Sequence, residues 1–238
     1  MCEARGLCLI GRVLRVLPIV LLTACASVGG VQLAETVGKG NLQIAVEPGV
    51  QVLGGLPVLQ VYPHLDAAVR YGFTDQLDLG LRAGWSFLEA QAKWMLTEPK
   101  RGGLIFSVAP TLGGMVVTSG ETSLSGFLNA ATPVLLGIPI GADELVLGVR
   151  SQHLVFVGGG SLIPTYSLGV GGSVGFALRF SDTLTLLPEV AAVWPVYGGQ
   201  PVTRSDGTNA DFAYGAAQVG IFQFKLGFLL DRRAPKPP

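Results

Sequence analysis

Charge is scarce in this chain. Asp, Glu, Lys and Arg make up 13% of its 238 residues, balanced at 16 basic and 16 acidic, which leaves no basic excess for a nucleic-acid partner. Only two histidines, His64 and His153, and three cysteines, Cys2, Cys8 and Cys25, are present, and their spacing suits no metal centre. Beyond the N-terminus no run reaches the roughly 18 apolar residues of a helical membrane span. "GVGGSVG" at 169–175 lacks the spacing and the following Lys-Ser or Lys-Thr of a phosphate loop, so no nucleotide or other cofactor is expected.

What is abundant is apolar and small: 49% of the residues are hydrophobic and 34 are glycine. A chain so poor in charge faces something other than water, and without helical spans a closed β-barrel is the remaining way to satisfy every backbone group in lipid. The N-terminus reads as an export signal, with Arg5, Arg12 and Arg15 ahead of the short apolar stretch Val16–Leu22. "LTAC", Leu22 to Cys25, then resembles the lipobox of bacterial lipoproteins, which implies cleavage before Cys25 and acylation of its thiol. Ala26, in place of Asp, implies sorting onward to the outer membrane. Loss of residues 1–24 removes three basic residues and one acidic, leaving 13 against 15, with Cys25 as the sole cysteine. Four segments are therefore expected: a removed signal at 1–24, an acylated cysteine and tether at 25–39, a barrel at 40–230 and a basic, Pro-rich tail at 231–238.

Strand signals begin in "YGFTDQLDLGLRAGW" at 71–85. Leu77, Leu79, Leu81, Ala83 and Trp85 alternate with Asp78, Gly80, Arg82 and Gly84, and Asp75 sits in a turn ahead of them. The unit recurs in "ADELVLGVR" at 142–150 and in part in "SDTLTLLPE" at 181–189, so both aspartates read as architecture rather than catalysis. Ten strands are expected, at 40–48, 58–72, 77–85, 88–96, 104–117, 127–140, 145–156, 166–180, 184–196 and 212–229, forming an all-β, transmembrane, up-and-down antiparallel barrel. Tight or modest connections ("TDQ", "TEPKRGG", "GADE", "SDT") alternate with a mostly longer set that includes 118–126, 157–165 and 197–211. Short periplasmic turns and long outer loops are the outer-membrane pattern. It predicts periplasmic termini, and a lipid on Cys25 in the inner leaflet at the end of the tether.

The strand at 166–180 sets the faces. Tyr166, Leu168, Val170, Val174, Phe176, Leu178 and Phe180 point to lipid and alternate with small residues and Arg179, whereas a soluble, lipocalin-like calyx would carry Lys, Glu and Thr outside. Tyr71, Phe73, Trp85, Trp94, Tyr166, Phe180, Trp194 and Phe228 gather near strand ends as interfacial girdles do. "GFTDQLDLG", the glycine-rich alternating strands and the closing "FQFKLGFLL" together resemble small Gram-negative outer-membrane β-barrel families. That resemblance implies outer-membrane lipids, barrel-assembly machinery and lipoprotein-sorting machinery as partners. The chain departs from such families in "DRRAPKPP", which follows the last aromatic strand.

Parity sends Glu47, His64, Asp66, Arg70, Asp78, Arg82, Glu89, Lys93, Arg150, Arg179, Glu189 and Lys225 into the lumen. They read as a self-neutralising filling, or alternatively as the lining of a narrow solute channel. The expected register puts Ala68 opposite Arg82 and Gly72 opposite Asp78, then Arg82 opposite Gln91 and Asp78 opposite Met95. It groups Asp66 with Arg82 and Glu89, and Arg70 with Asp78 and Lys93. On the outer face Ser151 and His153 are similar to the Ser and His pair of outer-membrane lipid A deacylases, but no acidic residue on the outward face of a neighbouring strand orients the imidazole. A structural or surface barrel is thus the leading reading, with a channel and a lipid-modifying esterase behind it.

Overall fold

A computed structural model of the chain describes residues 29–55, 58–84, 87–97, 103–119, 123–157, 166–203, 209–214 and 220–232. Every regular element within them is a strand: β1 (Leu42–Gly55), β2 (Val58–Gly72), β3 (Leu77–Ala83), β4 (Phe87–Met95), β5 (Ile105–Val108), β6 (Thr111–Ser119), β7 (Ser123–Ile140), β8 (Asp143–Val157), β9 (Tyr166–Arg179), β10 (Leu184–Thr203), β11 (Asn209–Tyr214) and β12 (Gly220–Arg232). All pairings are antiparallel. β12 pairs with β1, and β10 pairs with both β9 and β12, so the sheet closes on itself. Closure removes the unpaired edge that an open sheet would expose.

The protein is a closed, ten-position antiparallel β-barrel, because two wall positions are each shared by two strands. β5 and β6 both lie between β4 and β7. Pro110 separates them, having no N–H to give the ladder. Pairing resumes in unchanged register, Val108 with Val134 and Thr111 with Ala131. β12 and β11 likewise pair with the first and second halves of β10.

Apolar and polar faces are the reverse of those in a water-soluble domain. Phe73, Leu88, Trp94, Val149, Val170 and Phe224 are exposed, whereas Glu47, Gln51, Asp66, Asp78, Lys93, Gln152 and Gln223 are among the most deeply buried side chains. Within β9 the small residues Gly169, Gly175 and Ala177 are buried and Val170 and Val174 exposed, following the alternation. Trp85, expected in the aromatic girdle, lies outside the described residues.

Three expectations are corrected. The loop expected at 197–211 is partly wall, since β10 runs on to Thr203 and pairs with β11, as in Gly198 with Tyr214. "GGQPVT" breaks the alternation used to find strands, but backbone pairing needs no alternation. In the β3–β4 hairpin, Arg82 faces Glu89 and Asp78 faces Lys93, two residues from the expected partners, while the β2–β3 pairs are Ala68 with Arg82 and Gly72 with Asp78. A slip of one residue would turn every side chain over, but a slip of two preserves the faces, so hydrophobic pattern alone is blind to it. The third concerns the tether: residues 29–37 lie inside the barrel.

The barrel's rim is uneven. Among the described strands, β3 has seven residues and β4 nine, against 18 in β7 and 20 in β10. β2 extends from Ala67, the partner of Ala83, back to Val58, so the wall falls away at the β3–β4 hairpin.

Candidate functional site: a segment held inside the barrel

The chain enters the lumen at the end where β2 turns into β3. Gly38 and Gly40, with φ of 83° and 77°, reverse the backbone between the inner segment and β1, a conformation glycine adopts without Cβ strain. The reversal is tied to the β2–β3 turn: Gly40 N donates to Gly72 O at 2.8 Å, Thr36 Oγ1 to Asp75 O at 2.6 Å and Lys39 N to Asp75 Oδ1 at 3.2 Å. Asp75 is thus a turn residue with a second task.

From Val37 back to Gly29 the segment climbs the inner wall of β3 and β4. Val37 N donates to both oxygens of the Asp78 carboxylate at 3.0 and 3.1 Å. Lys93 Nζ donates to Glu35 O at 2.6 Å and to Leu33 O at 3.3 Å, and is 3.0 Å from Asp78 Oδ2. Deeper, Gln91 Nε2 donates to Gln32 Oε1 at 2.9 Å and Arg70 Nη2 to Val31 O at 2.7 Å. Deepest, Arg82 Nη1 donates to Gly29 O, which also accepts from Lys225 Nζ at 2.9 Å, while Gly29 N donates to Gln223 Oε1 at 2.6 Å. Residues 29–37 belong to none of the described strands, and the wall supplies partners for their N–H and C=O groups.

Its side chains are equally enclosed. Val31, Leu33 and Ala34 are buried in one apolar cluster with Ala45, Ala68, Met95, Ile105, Leu135, Val146, Ala177, Leu187 and Leu229. Burying one such side chain fully is worth about 1.5–3 kcal/mol. The fit is close: a Cβ on Gly227 would collide with Val31 Cγ1, and one on Gly137 would stand 2.8 Å from the Ala34 Cβ. Cavities of about 20 and about 10 Å³ remain beside Gly30, Gln32 and Arg150, room for about one water each at most. Toward the β2–β3 turn the lumen opens into a vestibule of about 1080 Å³ lined by Glu35, Asp143, Glu144, Arg179, Asp182 and Asp231.

The expected ionic residues take the following places. Arg82 Nη2 is 2.8 Å from Glu89 Oε1. Asp66 belongs instead with Lys225, at 2.6 Å, and Lys225 Nζ also reaches Glu47 Oε2 at 3.0 Å, with His64 Nε2 3.7 Å from Asp66. Arg70 turns from Asp78 to Glu47, at 3.5 Å, and to Gln43 Oε1, at 2.9 Å. The two expected clusters are thus redistributed, because β12 closes beside β1 and brings Lys225 to the acids of β1 and β2. Arg150 and Glu189 are buried, with Arg150 Nε and Glu189 Oε1 lacking hydrogen-bond partners among the described residues. Arg179 is at the vestibule, 2.7 Å from Glu35 Oε2 and 3.9 Å from Glu144 Oε2. Sequence reasoning missed Glu144, which accepts from Ala34 N at 2.9 Å, because it was absorbed into the "GADE" turn. It also passed over Gln43, Gln51, Asn129, Gln152 and Gln223, since an uncharged amide at an inward position carries no charge signal.

Outside the wall, His153 Nδ1 meets Tyr166 Oη at 2.8 Å, while Gln152 between it and Ser151 is buried. No hydrogen bond joins Ser151 to His153 among the described residues, and no group of three or more His, Cys, Asp and Glu is arranged to hold a metal ion there. Cys25 lies outside the described residues.

No protein-family model matches the chain, and no curated protein does. Among solved structures it is similar to the outer membrane protein OprG from Pseudomonas aeruginosa, at 11% identity and TM-score 0.40 over 85% of this chain and 100% of that one. An outer membrane channel from Pseudomonas putida F1 shares 11% identity with TM-score 0.41 over 84% and 98% of the two chains. The outer membrane protease OmpT from Escherichia coli shares 8% with TM-score 0.43, over 84% and 98%.

Proposed function

We propose that the chain is an outer-membrane β-barrel lipoprotein of the bacterial cell envelope, serving as a structural or surface barrel whose lumen is closed by its own N-terminal segment. The membrane assignment rests on the inverted faces: an exposed apolar belt around a charged interior suits lipid outside and would be costly in water. The role rests on one observation above others, the filling of the lumen around residues 29–32, where the cavities among the described residues are about 20 and about 10 Å³, with the vestibule beginning only at residues 33–37. In this reading residues 1–24 are the export signal, Cys25 carries the lipid, the short turns are periplasmic, and assembly and sorting machineries are the partners. In planar bilayers the intact protein should show no steady conductance; a steady ohmic current would refute a closed lumen. Cys25→Ala should abolish incorporation of an alkyne-tagged fatty acid, and unchanged incorporation would refute acylation at that residue.

A narrow channel is the second reading, favoured by the vestibule of about 1080 Å³, which meets the plug from one side. It requires residues 29–37 to move, so current should be absent at low voltage and appear only above a threshold voltage or on addition of a ligand. The esterase reading has less support, because His153 is engaged by Tyr166 and no carboxylate stands behind it among the described residues.

A further inference from the structure

Most buried charges of the lumen meet a partner of opposite sign; Arg150 does not. The cavities of about 20 and about 10 Å³ share Gly30, Gln32, Pro133 and Arg150 in their lining. Around the smaller one stand three guanidinium groups, Arg70, Arg82 and Arg150, and a single carboxylate, Glu89. Arg70 is answered by Glu47 at 3.5 Å and Arg82 by Glu89 at 2.8 Å. Arg150, only 8% exposed, forms no ion pair among the described residues. Glu189 does not take that part, because its Oε1 lies against Gly29 and no ion pair joins it to Arg150. A guanidinium cannot shed its proton, and a buried charge left alone is costly.

The unmatched groups at the smaller cavity are donors. Arg82 Nε, Arg150 Nε and the Thr111 hydroxyl are all buried with no hydrogen-bond partner among the described residues. The acceptors beside them are already engaged. Glu89 Oε1 is met by Arg82 Nη2 and Glu89 Oε2 by Asn129 Nδ2 at 3.4 Å, while Gln32 Oε1 accepts from Gln91 Nε2 and Gln91 Oε1 from Arg70 Nε at 3.4 Å. A water there could accept from two donors, but its own hydrogens would compete for occupied acceptors and the charge of Arg150 would stay unbalanced. A particle that only accepts and carries one negative charge meets both demands.

We propose that this cavity binds a monatomic anion, chloride, against Arg150, Arg82 and Thr111, and that the ion fastens Gly30 and Gln32 of the inner segment to the walls of β3, β6 and β8. A halide takes about the room of one water, which is what about 10 Å³ offers, and a phosphate or carboxylate is too large. Plug and wall both line the cavity, so holding the ion and keeping the plug seated are coupled. This inference rests on the closed-lumen reading above.

Urea unfolding of the full-length barrel, refolded at equal ionic strength in chloride, bromide or gluconate, tests it. Chloride and bromide should raise the midpoint, and gluconate, too large to enter, should not. Above the Kd, each tenfold rise in chloride should raise the folded-to-unfolded ratio about tenfold. Arg150→Met keeps the side chain's bulk without its charge and should abolish the difference between chloride and gluconate. Thr111→Val leaves the cation in place, should shrink that difference, and serves as the variant if Arg150→Met does not fold. Equal midpoints in chloride and gluconate would mean that water suffices and would overturn the proposal. So would a chloride dependence that survives in Arg150→Met or stays full-sized in Thr111→Val. Crystals grown with bromide should show an anomalous peak within hydrogen-bonding distance of Arg150 Nε, and no peak there overturns the site. Bilayer conductance of the same preparation is scored separately: a conducting barrel that keeps the bromide peak loses the closed lumen and retains the anion site.

Discussion

The inner faces of β2–β4 carry Asp66, Arg70, Asp78, Arg82, Glu89 and Lys93, whereas that of β9 carries Ser167, Gly169, Gly171, Ser173, Gly175 and Ala177 before Arg179. One wall grips and the other makes room. Of the residues named, those of β2–β4 supply three of the donors and acceptors that hold the plug backbone directly, through Asp78, Lys93 and Arg82, with Arg70 adding a fourth at Val31. Ser173 of β9, with Gly148 of β8, lines the small cavity left beside Gly29 and Gly30. A ten-position barrel is narrow, and large charged side chains on both walls would leave no space for a backbone between them. The asymmetry is thus a condition for holding a segment inside.

The most damaging change should fall on the gripping wall. Asp78→Ala leaves Lys93 buried without its carboxylate and Val37 N without its acceptor. Losing one partner of a buried pair typically costs about 3–5 kcal/mol, to be read as an earlier urea-unfolding midpoint; an unchanged midpoint would break the comparison. Next comes Gly227→Ala on β12, whose new methyl meets Val31. Overpacking of this kind costs about 1–3 kcal/mol, and expulsion of the plug should appear as new conductance in bilayers. The same change at Gly172 of β9, where an added Cβ stands 3.1 Å from Gly148 O and meets no plug atom, should leave conductance as it was.

A charge exchange sharpens the comparison further. Arg82→Glu with Glu89→Arg should recover part of what either single change loses, with a coupling of about 0.5–3 kcal/mol in a double-mutant cycle. Recovery should stay incomplete, because Arg82 also donates to Gly29 O and the exchanged glutamate cannot. Full recovery would mean that the plug contact at Arg82 contributes nothing. The smallest effect belongs to the outer face, where Ser151→Ala should change stability by less than about 0.5 kcal/mol and leave the lipid A mass spectrum unaltered.

Alternation in the sequence determined the all-β class and which residues of each strand face inward, because the side-chain period of a strand is two and a barrel has two unlike faces. It likewise indicated Asp75 and Asp78 as structural residues, one in a turn and one facing the lumen, and the β2–β3 pairing, since "TDQ" limits that loop to one length. It left open the β3–β4 register, where a two-residue slip keeps every face, and the partners of Asp66 and Arg70, which depend on closure bringing β12 beside β1. Least legible was the segment at 29–37. Val31, Leu33 and Ala34 show no strand or helix period and no motif, and their place follows from a cavity that exists only once ten wall positions have closed around them. Tertiary structure alone decided that these residues fill the lumen, because the charges that hold them come from β2, β3, β4, β8 and β12, which meet only in the finished barrel.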